Sequence, residues 1–248
     1  GQAMNLRSRQ TGLSLIESLI GLTIGVFLLM GIATVFGQSR QTYNYQLAQA
    51  GQQGNERLSA VILSTALEQA GFAEMNEINI LNRLASFPAD GTFGAGESIA
   101  GTQASHSVTV NGQGTVTFPA DTLSVRYWGG PAIVDCVGTP IADTALATDV
   151  FASNGVNLTC DSNGAGARPI MGDGTAILAQ QLRVLGMRVS YGLDTNGDQS
   201  IDQFQRADNV ASWNDVRVAE VELFIQAGER PPESLSFTVT LENMRGAT

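Results

Sequence analysis

The chain has 248 residues, 13 basic and 23 acidic, for a formal net charge of −10, and every basic side chain is an arginine. So acidic a chain lacks the basic face that attracts a phosphate backbone, which argues against direct binding of nucleic acid. It has one histidine, two cysteines outside any CxxC, and no GxSxG, HExxH, P-loop or Rossmann glycine pattern. The residue sets that hydrolase, zinc and nucleotide chemistry require are therefore missing, and no enzyme is expected.

Met4 reads as the natural start, with residues 1–3 a foreign remnant ahead of it. Arg7 and Arg9 lie just before Gly12, and the run LSLIESLIGLTIGVFLLMGIATVF from Leu13 to Phe36 carries one charge, Glu17. A helix of these 24 residues reaches about 36 Å at about 1.5 Å per residue, enough for a hydrocarbon core of about 30 Å. A secretory signal is cut beyond its apolar segment and loses it. Here Gly12 precedes the segment, so cleavage there leaves the helix on the mature protein. The two arginines orient the segment with Gly12 on the cytoplasmic side and everything after Phe36 exported. Without them the side chains are 11 basic against 23 acidic, a net of −12.

Gly12-Leu13-Ser14-Leu15-Ile16-Glu17 behind a basic leader closely resembles the class III signal of type IV prepilins and pseudopilins. The resemblance implies that residues 1–12 are a leader, that the prepilin peptidase cuts between Gly12 and Leu13, and that Leu13 is then N-methylated; the family more often has phenylalanine there. It also implies a subunit-assembly role for Glu17, whose carboxylate neutralises the terminal amine of a neighbour. The physical reason is that an acid inside a membrane segment is costly and faces a partner rather than lipid. The plainer reading, a signal anchor with Glu17 at the membrane interface, leaves the spacing of Gly12 and Glu17 unexplained.

Residues 13–36 are thus read as a transmembrane and filament-core helix, and 37–71 as its outer half. No proline occurs from Gln38 to Ala70, Leu58, Val61, Ile62 and Ala66 recur at helical spacing, and Gly71 is placed to end the last turn. Gly51 and Gly54 are its weak points, each costing up to about 1 kcal/mol relative to alanine.

After Phe72 the period changes from 3.6 to 2. Ser107 to Phe118 reads as two short alternating runs around Asn111-Gly112, a hairpin signal. Thr122 to Trp128 is a strand. Leu185, Met187, Val189 and Tyr191 alternate, as do Val221, Leu223 and Ile225, and again Leu235, Phe237, Val239 and Leu241. Residues 72–248 are therefore expected to be an antiparallel β-rich head on the outer half of the helix, an α+β fold. Between Glu74 and Ser105, and between Gly129 and Gly174, composition turns to small and polar residues, read as long loops. Cys136 and Cys160 lie in the second of these. In an oxidising periplasm a disulfide is the natural reading, and closing that loop is worth about 3 kcal/mol. His106 is placed in a polar turn.

Asp194, Asn196, Asp198, Ser200 and Asp202 set oxygen side chains at alternate positions, as a loop around calcium does. The match to an EF-hand loop then fails, with Gln199 where glycine and Gln205 where a bidentate glutamate is expected. The competing reading is a solvated turn between two strands, for which Asn196-Gly197 is itself a signal.

The order of features, a helix ending LEQAGF, the strand DTLSVRYW, the cysteine pair, LRVLGMRVSYGLDTNGDQSID, Trp213 before VRVAEVELFI and a last strand ending LENMRG, resembles the PilW group of minor type IV pilins. This implies a structural subunit that primes or caps pilus assembly near the tip. It implies an inner-membrane location with a periplasmic head before assembly, and the extracellular pilus afterwards. Expected partners are other minor pilins, the major pilin and a tip adhesin, besides the peptidase. A minor pseudopilin of a type II secretion system, or a calcium-dependent adhesin head on a pilin stalk, fits the same features.

Overall fold

A computed structural model describes residues 15–73, 87–110, 113–172, 182–228 and 230–244. It divides into two compact units, with the boundary between Gln49 and Ala50. Gly12 and Leu13 lie outside the described residues.

In the first unit the element is the amino-terminal part of helix α1, which spans Leu15–Gln69. Its stretch Leu15–Arg40 is long and apolar enough to cross a membrane, and none of it is buried within the chain. Thr23 Oγ1 donates to Ile20 O and Thr34 Oγ1 to Gly31 O, so the hydroxyls of this stretch bond to the helix's own carbonyls, as a lipid environment requires. Helical hydrogen bonding continues through Gly51 and Gly54 without interruption.

In the second unit the last turns of α1 enter the core. Leu63, Ala66, Leu67 and Ala70 are buried, an apolar row at three- and four-residue spacing. Gly71 then takes φ 75°, a conformation costly for side chains with a Cβ, and its N–H donates to Arg126 O at 2.9 Å, ending the helix against a strand.

Eleven strands follow among the described residues. A five-stranded antiparallel sheet has the order β1 (Ile99–Thr102), β4 (Thr122–Trp128), β5 (Leu146–Ser153), β6 (Leu158–Ser162) and β7 (Arg168–Met171). A four-stranded antiparallel sheet has the order β11 (Glu233–Thr240), β10 (Val216–Ala227), β8 (Leu182–Leu193) and β9 (Gln203–Gln205). The hairpin β2 (Ser105–Val110) and β3 (Gly114–Pro119) forms the third sheet. The architecture is α+β, with an apolar helix followed by antiparallel sheet.

The two large sheets are tied by polar groups as well as by packing. Buried Asp121 accepts from Val189 N at 2.8 Å, from Ala104 N at 3.3 Å and from the Arg206 guanidinium. Ser153 Oγ donates to Val184 O at 3.0 Å. Gly186 is needed where hairpin and β8 meet, because a Cβ there would lie 2.5 Å from Pro119 O.

Three placements differ from expectation. Residues 129–174 hold β5, β6 and β7, and β1 lies in the other stretch read as loop. The buried side of β5 is Ala147, Asp149, Phe151 and Ser153, a period-2 row in which two of four members are polar, so hydropathy alternation is invisible. His106 lies in β2, where its Nε2 is 2.7 Å from Leu185 O. It bonds a backbone carbonyl in the packing of the hairpin on β8.

Candidate assembly site

Glu17 lies in the first turn of α1 and is exposed. A carboxylate there complements the positive end of the helix dipole, and among the described residues nothing in its own chain pairs with it. Around it Leu15, Ile16, Leu19, Ile20 and Leu22 are between 55% and 80% exposed. In water such a row would be an aggregation surface, so it requires lipid or other helices. A Cβ at Gly21, Gly25, Gly31 or Gly37 would meet nothing within 4 Å, so these glycines leave room for something outside the chain.

In the second unit Cys136 and Cys160 are joined in a disulfide, with Cα atoms 6.4 Å apart. It links the 129–145 loop to β6. The buried carboxylate of Asp149 sits beneath it, accepting from Tyr127 Oη at 2.6 Å and from Cys136 N at 2.9 Å. Burial raises the Asp149 pKa despite the lowering effect of these donors, and burial with the nearby carboxylate raises that of Tyr127. The sulfurs lie close enough to Asp149 to suggest a metal cluster, but both are spent in the disulfide and offer no thiolate.

The 194–202 loop is closed by its own side chains. Asp194, 2% exposed, accepts from Gly197 N and Gln199 N at 2.7 and 3.0 Å, and Arg217 Nε lies 3.6 Å from its Oδ2. Asp202 Oδ2 accepts from Thr195 N and Thr195 Oγ1 at 2.8 and 2.7 Å, which lowers its pKa. The Asn196 amide donates to both Asp198 and Asp202, and Asp198 Oδ1 accepts from Ser200 N. Asn196, Asp198 and Asp202 are thus brought together, while Asp194 caps the backbone of Gly197 and Gln199 with Arg217 beside it. The donors now holding these oxygens are the groups a cation would have to displace.

Sequence reasoning missed Arg126. It is fully buried and donates to the carbonyls of Glu97, Pro88, Gly94 and Phe87 at 2.5, 2.6, 2.9 and 3.3 Å, and to Asp90 at 3.4 Å. Its guanidinium also lies 4.6 Å from the Phe93 ring centroid. The available signal was one arginine in a strand, LSVRYW, that otherwise reads as core.

The family profile of the type IV pilus-assembly protein W matches residues 153–243, from the end of β5 through β11. Over that segment the chain resembles PilW. The matched segment contains β8 and β10, the pair at the centre of the four-stranded sheet. The chain is also similar to a solved type IV-like pilin from Thermus thermophilus, at 14% identity, covering 77% of this chain and 97% of that one, with a TM-score of 0.40. Among curated proteins none matches. The likeness to the pilus-assembly family thus lies in residues 153–243, in a chain whose stretch Leu15–Arg40 is long and apolar enough to cross a membrane.

Proposed function

We propose that the protein is a minor type IV pilin, a subunit that primes or caps the pilus near its tip. The supporting observation is the Leu15–Arg40 segment, apolar, of membrane-spanning length and wholly unburied by its own chain. Before assembly it anchors the protein in the inner membrane with the head in the periplasm. After cleavage at Gly12 and methylation of Leu13, the helix moves from lipid to the filament core, exchanging one apolar environment for another. Glu17 meets the terminal amine of a neighbouring subunit there, which gives register to contacts that hydrophobic packing alone leaves unspecific. Other minor pilins, the major pilin and a tip adhesin are its partners.

The test is complementation of a strain lacking the gene with wild type, Gly12→Val and Glu17→Ala, reading leader removal by mass and fibres by microscopy. Gly12→Val should retain the leader, and Glu17→Ala should be processed yet restore few or no fibres. Full piliation by both variants would overturn the proposal. Secretion loss with pili intact would move the reading to a pseudopilin.

A further inference from the structure

Among the described residues strand β11 is a sheet edge, and its chemistry suits an added strand. Its pairing with β10 runs without a bulge from Val218↔Thr240 to Ile225↔Glu233, and no described strand lies on its other side. Leu241 N donates to Arg217 O at 2.8 Å, and in an antiparallel ladder bonded pairs recur every second residue. The odd-numbered residues of β11 therefore bond to β10, while Ser234, Ser236 and Thr238 direct N–H and C=O outward.

Edges of this length are usually blunted by lysine, proline or a bulge. Between Ser234 and Thr240 there is no charge and no proline. The core-facing row is also incomplete: Leu235 and Phe237 are half-buried, whereas Leu223 and Val221 opposite them are fully buried. A strand laid along β11 would cover the first two and satisfy the outward backbone groups.

We infer that β11 takes up an extended strand of another exported protein, with apolar residues on the core side alternating with arginine or lysine on the other. The charge follows from the neighbours. On that outer side β11 shows only hydroxyls, Ser236 and Thr238, and behind them on β10 stand Glu222, already paired with Arg188 at 3.1 Å, and exposed Glu220. A long basic side chain on the added strand reaches over the short hydroxyls toward the Glu220 carboxylate, about 10 Å away across two strand spacings. A second copy of this chain presents only Ser and Thr there and leaves Glu220 unanswered. Main-chain bonds supply affinity and the alternating side chains specificity. Only the partner's origin, the same compartment, rests on the pilin reading, so this edge and filament assembly can fail independently.

The experiment uses the full chain in detergent and a fluorescent heptapeptide alternating valine with arginine. Its controls are the same peptide N-methylated at every second residue and a version with glutamate for arginine. Binding should be saturable, at least tenfold weaker with glutamate and absent with the methylated peptide. Ser236→Pro should abolish it without shifting the melting temperature, because that N–H is outside the β10 ladder. Ser234→Pro gives the same reading should Ser236→Pro melt early. Equal binding of the methylated peptide, or wild-type binding by correctly melting proline variants, overturns the proposal. So does a wild-type dimer that Ser236→Pro dissociates, which would make the occupant a second copy.

Discussion

Tyr127 Oη donates a 2.6 Å hydrogen bond to Asp149 Oδ2, and both side chains are fully buried, beneath the disulfide. Because burial raises the Asp149 pKa above its ordinary 3.8, the folded chain keeps that proton to higher pH than the unfolded chain. The contribution favours the fold below the unfolded value and is lost as pH rises through the folded one. Asp149→Asn keeps an acceptor for Tyr127 and Cys136 without the buried charge. It is expected to melt at or above wild type at about pH 7, with the difference shrinking toward pH 4. Asp149→Ala orphans the Tyr127 hydroxyl and should cost about 2–3 kcal/mol in denaturant titration.

Removing the disulfide as Cys136→Ser with Cys160→Ser, 24 residues apart, should lower stability by about 3 kcal/mol through loop entropy. Reductant should lower the melting temperature of wild type and leave the double variant unchanged.

Arg126 holds residues 87–97 by its five hydrogen bonds and a ring contact. Arg126→Lys keeps the charge but cannot reproduce a planar fork of donors, so it should cost nearly as much as Arg126→Met, about 3 kcal/mol or more. The Asp90 pKa is lowered; burial pushes it up, and the Phe93 and Thr92 N–H groups with Arg126 outweigh that. Its support is therefore present above the ordinary carboxylate value and fades as pH falls through the folded one. Limited proteolysis within 87–97, slow in wild type, checks both statements.

Asp202 receives two hydrogen bonds from Thr195, and with its pKa lowered that bonding persists above the ordinary value and is lost on acidification. The protection factor of the Thr195 amide, its exchange rate relative to the intrinsic rate at the same pH, should fall in Asp202→Ala and, in wild type, as pH falls toward the folded value. In the calcium reading, added calcium shifts the amide signals of 194–202 alone, and Asp198→Ala abolishes the shift.

Gly25 sits on α1, and beyond the backbone of its own helical turns nothing lies within 4 Å of a Cβ placed there. Gly25→Leu should leave the melting of the head unchanged while reducing piliation, since its bulk meets only a neighbouring helix.

Local signals located the apolar helix, the Gly71 stop and strands β8, β10 and β11 of the four-stranded sheet, but not the short β9. Leu185 to Tyr191, Val221 to Ile225 and Leu235 to Leu241 alternate because one face of each lies on the core, and period 2 is a property of the strand itself. Membrane-spanning length and the place of Glu17 are likewise countable along the chain. Tertiary structure alone decided the strands of 129–174, the burial of Arg126 and Asp149, and the place of β11 at the sheet edge among the described residues. Asp149 and Ser153 occupy core positions because Tyr127, Cys136 and Val184, distant in sequence, satisfy them. Arg126 is tolerated because carbonyls 29 to 39 residues away surround it. A polar residue reads as exposed until its partners are known, and those partners are fixed by the fold.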